Sequence, residues 1–161
     1  MTDMKLGHRA SVDFTKAFTR EFSKSFYLST RMLPKSRQEA TFALYGFCRY
    51  ADNLSDRVRD RSREEKLREI NHLGVELEVA YRSGESEHPA IGPFIEVAKT
   101  YGIPKKYAMD LLEGVKMDLT HTRYETFKDL YLFCYRVAGV VGLMMTRSEE
   151  HTSELQSPLC I

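Results

Sequence analysis

Ala40-Thr41-Phe42-Ala43-Leu44-Tyr45-Gly46-Phe47-Cys48-Arg49-Tyr50-Ala51-Asp52-Asn53-Leu54-Ser55-Asp56 is the stretch that fixes the fold class of this 161-residue chain. Nine of the twelve residues from Ala40 to Ala51 are apolar. A helix that is apolar nearly all round belongs in a protein core. Ala40, Leu44, Phe47, Ala51 and Leu54 recur at helical spacing and form a packing stripe. Arg49, Asp52 and Asp56 also recur at steps of three and four, so they share another side of the same helix, together with Phe42 and Tyr45. Ser36-x-x-Glu39 reads as a capping box opening this helix, which is expected to run to about Arg57.

The same helical period extends in both directions. Val12, Ala17, Phe18 and Phe22 mark a helix upstream, and Leu33-Pro34 ends the connection after it. Downstream, Ser62-x-x-Glu65 is a second capping box, followed by the stripe Leu67, Ile70, Leu73, Leu77 and Ala80, with Gly84 as its stop. Pro89 to Tyr101 reads as a short helix closed by Gly102. Pro104 opens another, reaching about Leu119, and Thr126-x-x-Asp129 starts a last one reaching about Met145. No alternating strand pattern and no repeat of fixed period is present. The expected class is all-α, one domain, helical from about Val12 to Met145.

Composition bounds the function. Apolar residues make up 42% and charged residues 29%, which is the balance of a globular chain. A net charge of +1, from 24 basic and 23 acidic residues, argues against a general nucleic-acid binder. Cys48, Cys134 and Cys160 are odd in number and lack CxxC spacing, which disfavours a zinc cluster or a disulfide framework. With no secretory signal at the start, a cytoplasmic location is expected. The apolar run from Leu130 to Met145 is broken by Arg136 and reads as too short for a spanning helix, while leaving room for peripheral membrane contact. After Thr146 the apolar pattern stops. Arg147 to Ile161 resembles the translation of a sequencing adapter, so residues 147–161 are expected to be a non-native tail that packs on nothing.

Three segments could carry chemistry. Asp52 and Asp56 lie one turn apart, with Cβ atoms about 5–6 Å apart in a regular helix. Mg²⁺ favours such carboxylates together with water and substrate phosphates. The same spacing also fits a simple surface ion pair between Arg49 and Asp52. Ser23-Lys24-Ser25 offers two hydroxyls and an ammonium near a helix end, suited to a diphosphate, or to an ordinary polar helix exit. Gly139 and Gly142 stand inside a helix, where each costs about 1 kcal/mol relative to alanine. Close approach of another helix would explain them, and so would a slot for a long apolar ligand. Asp110, Glu113 and Asp118 read as a solvated polar face.

Ser23-Lys24-Ser25-Phe26, Tyr45 to Asp56, Glu113-Gly114-Val115-Lys116-Met117-Asp118-Leu119, and Cys134 to Gly142 together resemble the phytoene/squalene synthase family, in order and spacing, over most of Phe14 to Thr146. The resemblance implies the all-helical isoprenoid synthase fold, with residues 1–146 as the N-terminal part of such a domain. It implies head-to-head condensation of two prenyl diphosphates, phytoene synthase-like, through a cyclopropylcarbinyl diphosphate. Asp52 and Asp56 would hold Mg²⁺, or Mn²⁺, with Arg49 as a further catalytic residue. Ser23, Lys24, Ser25, Tyr45 and Arg49 would contact diphosphate, and Phe133, Val137, Ala138, Val141 and Gly142 would line the apolar cavity. NADPH would enter only for a squalene synthase, and no Gly-rich dinucleotide fingerprint is seen.

Three departures from the family pattern stand out. Phe22 replaces a frequent His, Phe133 replaces a frequent Tyr, and the family's second aspartate-rich motif would lie downstream of Gly142, where this chain does not carry it. The chain as written is therefore expected to be inactive. Squalene or presqualene diphosphate synthesis is the alternative within the enzyme class. A non-catalytic assembly factor of the same fold and a helical interaction module are the alternatives outside it. Paired carboxylates favour the enzyme, since a scaffold has no need of them.

Overall fold

The computed structural model of the chain describes residues 13–56 and 61–150. Every regular element among them is helical: α1 (residues 13–22), α2 (Lys24–Thr30), α3 (Lys35–Ser55), α4 (Arg63–Ser83), α5 (Ile91–Thr100), α6 (Lys105–Thr120), α7 (Phe127–Cys134), a π-helical turn (Tyr135–Gly139) and α8 (Val140–Glu150). The all-α expectation holds. Val12 lies outside the described residues.

The apolar segment from Ala40 to Ala51 becomes part of the hub. α3 packs on α2, α4, α5, α6 and α8, and Phe42, Ala43, Leu44, Gly46, Phe47 and Ala51 are all buried along it. Phe47 stacks on Phe94 of α5 with ring centroids 4.2 Å apart. Such a pair adds roughly 0.5–1.5 kcal/mol beyond the area it buries. Ile70, Leu73 and Leu77 of α4, Leu111, Leu112 and Val115 of α6, and Val140 and Met144 of α8 complete the core.

Several helix ends form as their residues dictate. Ser62 Oγ accepts from the Glu65 N–H, and Glu65 Oε2 accepts from the Ser62 N–H, closing the expected capping box of α4. Gly84 ends α4 at φ +84°, and Gly102 takes φ +61° after α5, both in the left-handed region that favours glycine. Thr126 Oγ1 accepts from the Asp129 N–H and caps α7.

Other ends differ from the sequence reading. Ser36-x-x-Glu39 does not cap α3, because Pro34 takes the N-cap position and makes no side-chain cap. Gln38 supplies the polar closure instead, donating from Nε2 to the carbonyls of Leu33 and Arg31. α3 stops at Ser55 rather than near Arg57, and Asp56 already has extended backbone at ψ 135°. α8 passes the expected end near Met145 and runs to Glu150, and the expectation that residues after Thr146 pack on nothing fails at Ser148, which is buried with its hydroxyl donating to the Met145 carbonyl. No glycine or proline stands between Thr146 and Glu150 to stop it. Residues 151–161, including Leu155, lie outside the described residues.

Phe127–Ser148 forms one continuous helical rod with a π turn inside it, and by length and composition it could cross a membrane. This corrects the expectation of too short a run, since the rod begins three residues before Leu130 and ends three after Met145. It is tied to the bundle by Val140, Met144 and Ser148, all buried.

The start of α5 depends on one imidazole. His88 Nδ1 accepts from the N–H groups of Ala90 (3.1 Å) and Ile91 (3.3 Å). That requires an unprotonated Nδ1. Burial holds the His88 pKa below its ordinary value of 6.5, with Glu76 opposing the shift and His72 adding to it. A depressed histidine pKa contributes stability that is present above about pH 6.5 and is lost as pH falls through the folded-state value. Thermal melts followed by circular dichroism should therefore show Tm falling between pH 7 and pH 5. His88→Ala should cost ~1 kcal/mol at pH 7.5, as loss of a helix N-cap does, and should flatten that part of the pH profile.

Candidate active site

The charged end of α3 is built against α1 and α2. Ser23 breaks the two helices apart with extended backbone (φ −150°, ψ 91°), so the chain turns while keeping aromatic side chains on the α3 side. Phe26 stacks on Tyr45 at 4.7 Å, and Tyr27 meets Phe42 at 5.6 Å. Phe18 packs on Phe22, whose ring lies under the Arg49 guanidinium at 5.0 Å. α1 reaches this closely only because position 46 has no side chain. A Cβ there would lie 2.7 Å from Thr15 Cγ2.

Arg49 is the centre of the constellation. Its Nη1 donates to Asp52 Oδ2 at 2.5 Å, and its Nε is buried without a hydrogen-bond partner among the described residues. A buried guanidinium nitrogen without an acceptor is costly, and an anion would relieve it. The aromatic walls enclose Arg49 more than the carboxylates, because the Asp52 side chain remains 57% exposed and Asp56 is exposed too. The sequence placed both carboxylates on one helix side. The structure keeps Asp52 on α3 and puts Asp56 at its C-cap, where the helix has ended. The ion-pair reading of Arg49 and Asp52 is realised, and among the described residues the other Asp52 oxygen and the Asp56 carboxylate have no ion-pair partner.

Two carboxylates next to solvent fit the chemistry of Mg²⁺, which takes one or two carboxylates and fills its octahedron with water and phosphate oxygens. No group of three or more His, Cys, Asp or Glu side chains able to hold a metal occurs among the described residues. Asp52 and Asp56 could therefore offer part of a coordination shell, not a closed cage.

The remaining candidates are distributed differently. Ser23 is the half-buried joint before α2, and Lys24 and Ser25 are exposed in its first turn, near Phe22 and Phe26 in the chain. Phe133 stacks on Tyr124 at 5.0 Å, which is itself stacked on His121. Val137 and Val141 are half-buried, while Ala138 and Gly142 are exposed. All five sit on the α7–α8 rod, which meets α3 through α8. The close helix approach that Gly139 and Gly142 led one to expect falls elsewhere. A Cβ at Gly142 would have nothing within 4 Å, and one at Gly139 would meet only Tyr135 of its own helix. Gly114 on α6 is the contact point, where a Cβ would lie 2.8 Å from both Arg136 Cβ and Val137 Cγ1. Glu113 accepts from Lys116 Nζ at 2.8 Å and Asp110 accepts from Lys106, but the expected solvated face is only partly exposed, since Asp110 and Glu113 are half-buried while Asp118 is exposed.

The squalene/phytoene synthase family model matches residues 19–158. The chain belongs to the squalene/phytoene synthase family. It is 37% identical over 131 residues to phytoene synthase of Pseudescherichia vulneris, covering 78% of this chain and 42% of that one. It is 34% identical over 129 residues to 15-cis-phytoene synthase of Synechococcus elongatus, covering 80% and 41%. A solved dehydrosqualene synthase in complex with ligand superposes with a TM-score of 0.76 at 30% identity, over 88% of this chain and 48% of that one. The chain thus spans about two fifths of the length of the curated relatives it matches. The isoprenoid synthase fold expected from the sequence is the fold observed.

Cys48 tests the environment of this site. Burial, and secondarily the charge of Asp52, push its thiol up to about 12. Cys134 is exposed. Iodoacetamide at pH 8 should label Cys134 in the folded chain and reach Cys48 only after denaturation, as read by peptide mass mapping, because the thiolate is the reacting species. Labelling of both at equal rates in the native state would contradict this packing.

Proposed function

We propose that this chain carries the first diphosphate-binding wall of a phytoene synthase-like prenyltransferase, which joins two geranylgeranyl diphosphates head to head. The single observation that carries the reading is the juxtaposition at the end of α3: Arg49, with a buried unpaired Nε, beside the exposed carboxylates of Asp52 and Asp56. Relatives named phytoene synthase favour the C20 substrate and phytoene as product over the squalene alternative. The paired carboxylates favour an enzyme over an assembly factor.

In this reading Asp52 and Asp56 are the residues that would hold Mg²⁺, or Mn²⁺. The bound cation would neutralise charge on the leaving diphosphate. Arg49 would supply a fixed positive charge and donors to the same oxygens, held in place by the Phe22 ring below it and by Asp52. Tyr45 is kept upright by stacking on Phe26 and would present its hydroxyl to the diphosphate, with Ser23, Lys24 and Ser25 at that end. Val137, Ala138, Val141, Gly142 and Phe133 would give the prenyl chain an apolar wall that excludes water from the carbocations. The open space beside Gly142 suits this role.

The test is calorimetric titration of the chain with geranylgeranyl diphosphate, with and without Mg²⁺. Binding should require Mg²⁺. Asp52→Asn and Asp56→Asn should each weaken it by roughly tenfold or more, equivalent to at least ~1.4 kcal/mol, with unchanged circular dichroism. Mg²⁺-independent binding that both variants retain would refute the assignment.

A further inference from the structure

Lys66 is the one lysine buried in the described core, at 6% exposure. Lysine is almost never fully buried unless it is paired. Among the described residues no carboxylate lies within ion-pair distance of it. Its ammonium instead donates to two backbone carbonyls at the end of α3, Asp56 O at 2.7 Å and Ser55 O at 3.4 Å.

Those carbonyls need a donor. The last four C=O groups of a helix have no partner within it, and a cation there also complements the helix dipole. Lys66 is aimed at them by its own helix. The Ser62–Glu65 capping box fixes the first turn of α4, and the Lys66 N–H closes onto the Ser62 carbonyl at 3.1 Å. On the α3 side, the Ser55 hydroxyl donates to the Asp52 carbonyl at 2.8 Å. The backbone of both candidate metal ligands is therefore tied down within one turn, while both carboxylates stay exposed.

An apolar residue of similar volume would fill the same space without the cost of burying an ammonium. The geometry points to a different role. We propose that Lys66 is a positioning residue for divalent-cation binding: by ending α3 at Ser55 and holding the Asp56 carbonyl, it sets where the Asp56 carboxylate stands relative to Asp52. This rests on the reading of Asp52 and Asp56 given under Proposed function. Lys66 touches neither substrate nor cation, and acts only through the backbone of Ser55 and Asp56.

The test uses the full chain and Mn²⁺ alone, with affinity read from loss of the free-ion EPR spectrum. Lys66→Met should weaken Mn²⁺ binding by about tenfold, the size expected when the support of a metal ligand is removed. It should also speed amide exchange at Asn53 to Asp56. Leu73→Ala, a core truncation on the same helix, should lower Tm at least as much and leave Mn²⁺ affinity within about twofold, because it removes no donor to the Ser55 or Asp56 carbonyl. Equal weakening by Leu73→Ala, or Mn²⁺ binding and exchange unchanged in Lys66→Met, would overturn the positioning role. If Lys66→Met does not fold, Lys66→Gln takes the same arms. Asp52→Asn separates the two claims. If it leaves Mn²⁺ binding intact, the carboxylate reading fails and the positioning role with it. If it abolishes binding while Lys66→Met does not, only the positioning role fails.

Discussion

Burial of α3 is the constraint from which the rest of the chain follows. Helices α1, α2, α4, α5, α6 and α8 all meet it, and Phe47 stacks on Phe94 of α5 within the core. Truncating such a phenylalanine typically costs about 3–5 kcal/mol, a large part of the ~5–15 kcal/mol that holds an ordinary domain together. A helix so enclosed can present charge only where it emerges. Arg49, Asp52 and Asp56 occupy its last two turns and its cap, so the chemistry stands at the edge of the core. The rigidity of the hub is what makes that edge a fixed platform rather than a mobile loop.

α1 and α2 convert the edge into a partly walled site. Arg49 cannot be packed by α3 alone, because its neighbours on the same face are Asp52 and Tyr45. The break at Ser23 lets Phe22 and Phe26 approach from two helices at different angles, one ring under the guanidinium and the other against Tyr45. The missing side chain at Gly46 sets how near α1 can come. Phe22 thus has a role that its departure from the frequent histidine did not suggest. It supplies a cation–π face instead of a hydrogen-bonding ring.

Most of the fold was legible because apolar period and end signals are local. Ser62-x-x-Glu65, Gly84, Gly102 and Thr126 each acted where they stood. The misreadings came from competition that sequence spacing does not display. Ser36-x-x-Glu39 has the pattern of a cap, but Pro34 begins the helix earlier and Gln38 closes it. The end of α3 at Ser55 depends on Lys66, a residue eleven positions away that stands in helical register with Ile70, Leu73 and Leu77 but is passed over when only apolar residues are counted. At the site, residue identities were readable while their exposure was not. Asp56 was placed on the helix face, and it stands beyond the helix end. Of the two reasons offered for Gly139 and Gly142, close helix approach falls at Gly114 instead, since it is a property of the facing helix, while the apolar slot enters only as a proposal.

The π turn at Tyr135–Gly139 shows the same dependence on a partner. α6 comes so near at Gly114 that Arg136 and Val137 lie against its backbone. One extra residue in a helical turn rotates everything beyond it by about 100°, the angle per residue of an α-helix. The rod therefore has two phases. α8 turns Val140 and Met144 into the core, whereas α7 has no buried residue and leaves Phe127 80% exposed with Leu130 and Tyr131 also outward. A strict 3.6 period through both segments would assign one buried face to all of them. The interruption instead lets a single rod dock by one half and project an apolar face from the other, with Val137 and Val141 at the transition between the two.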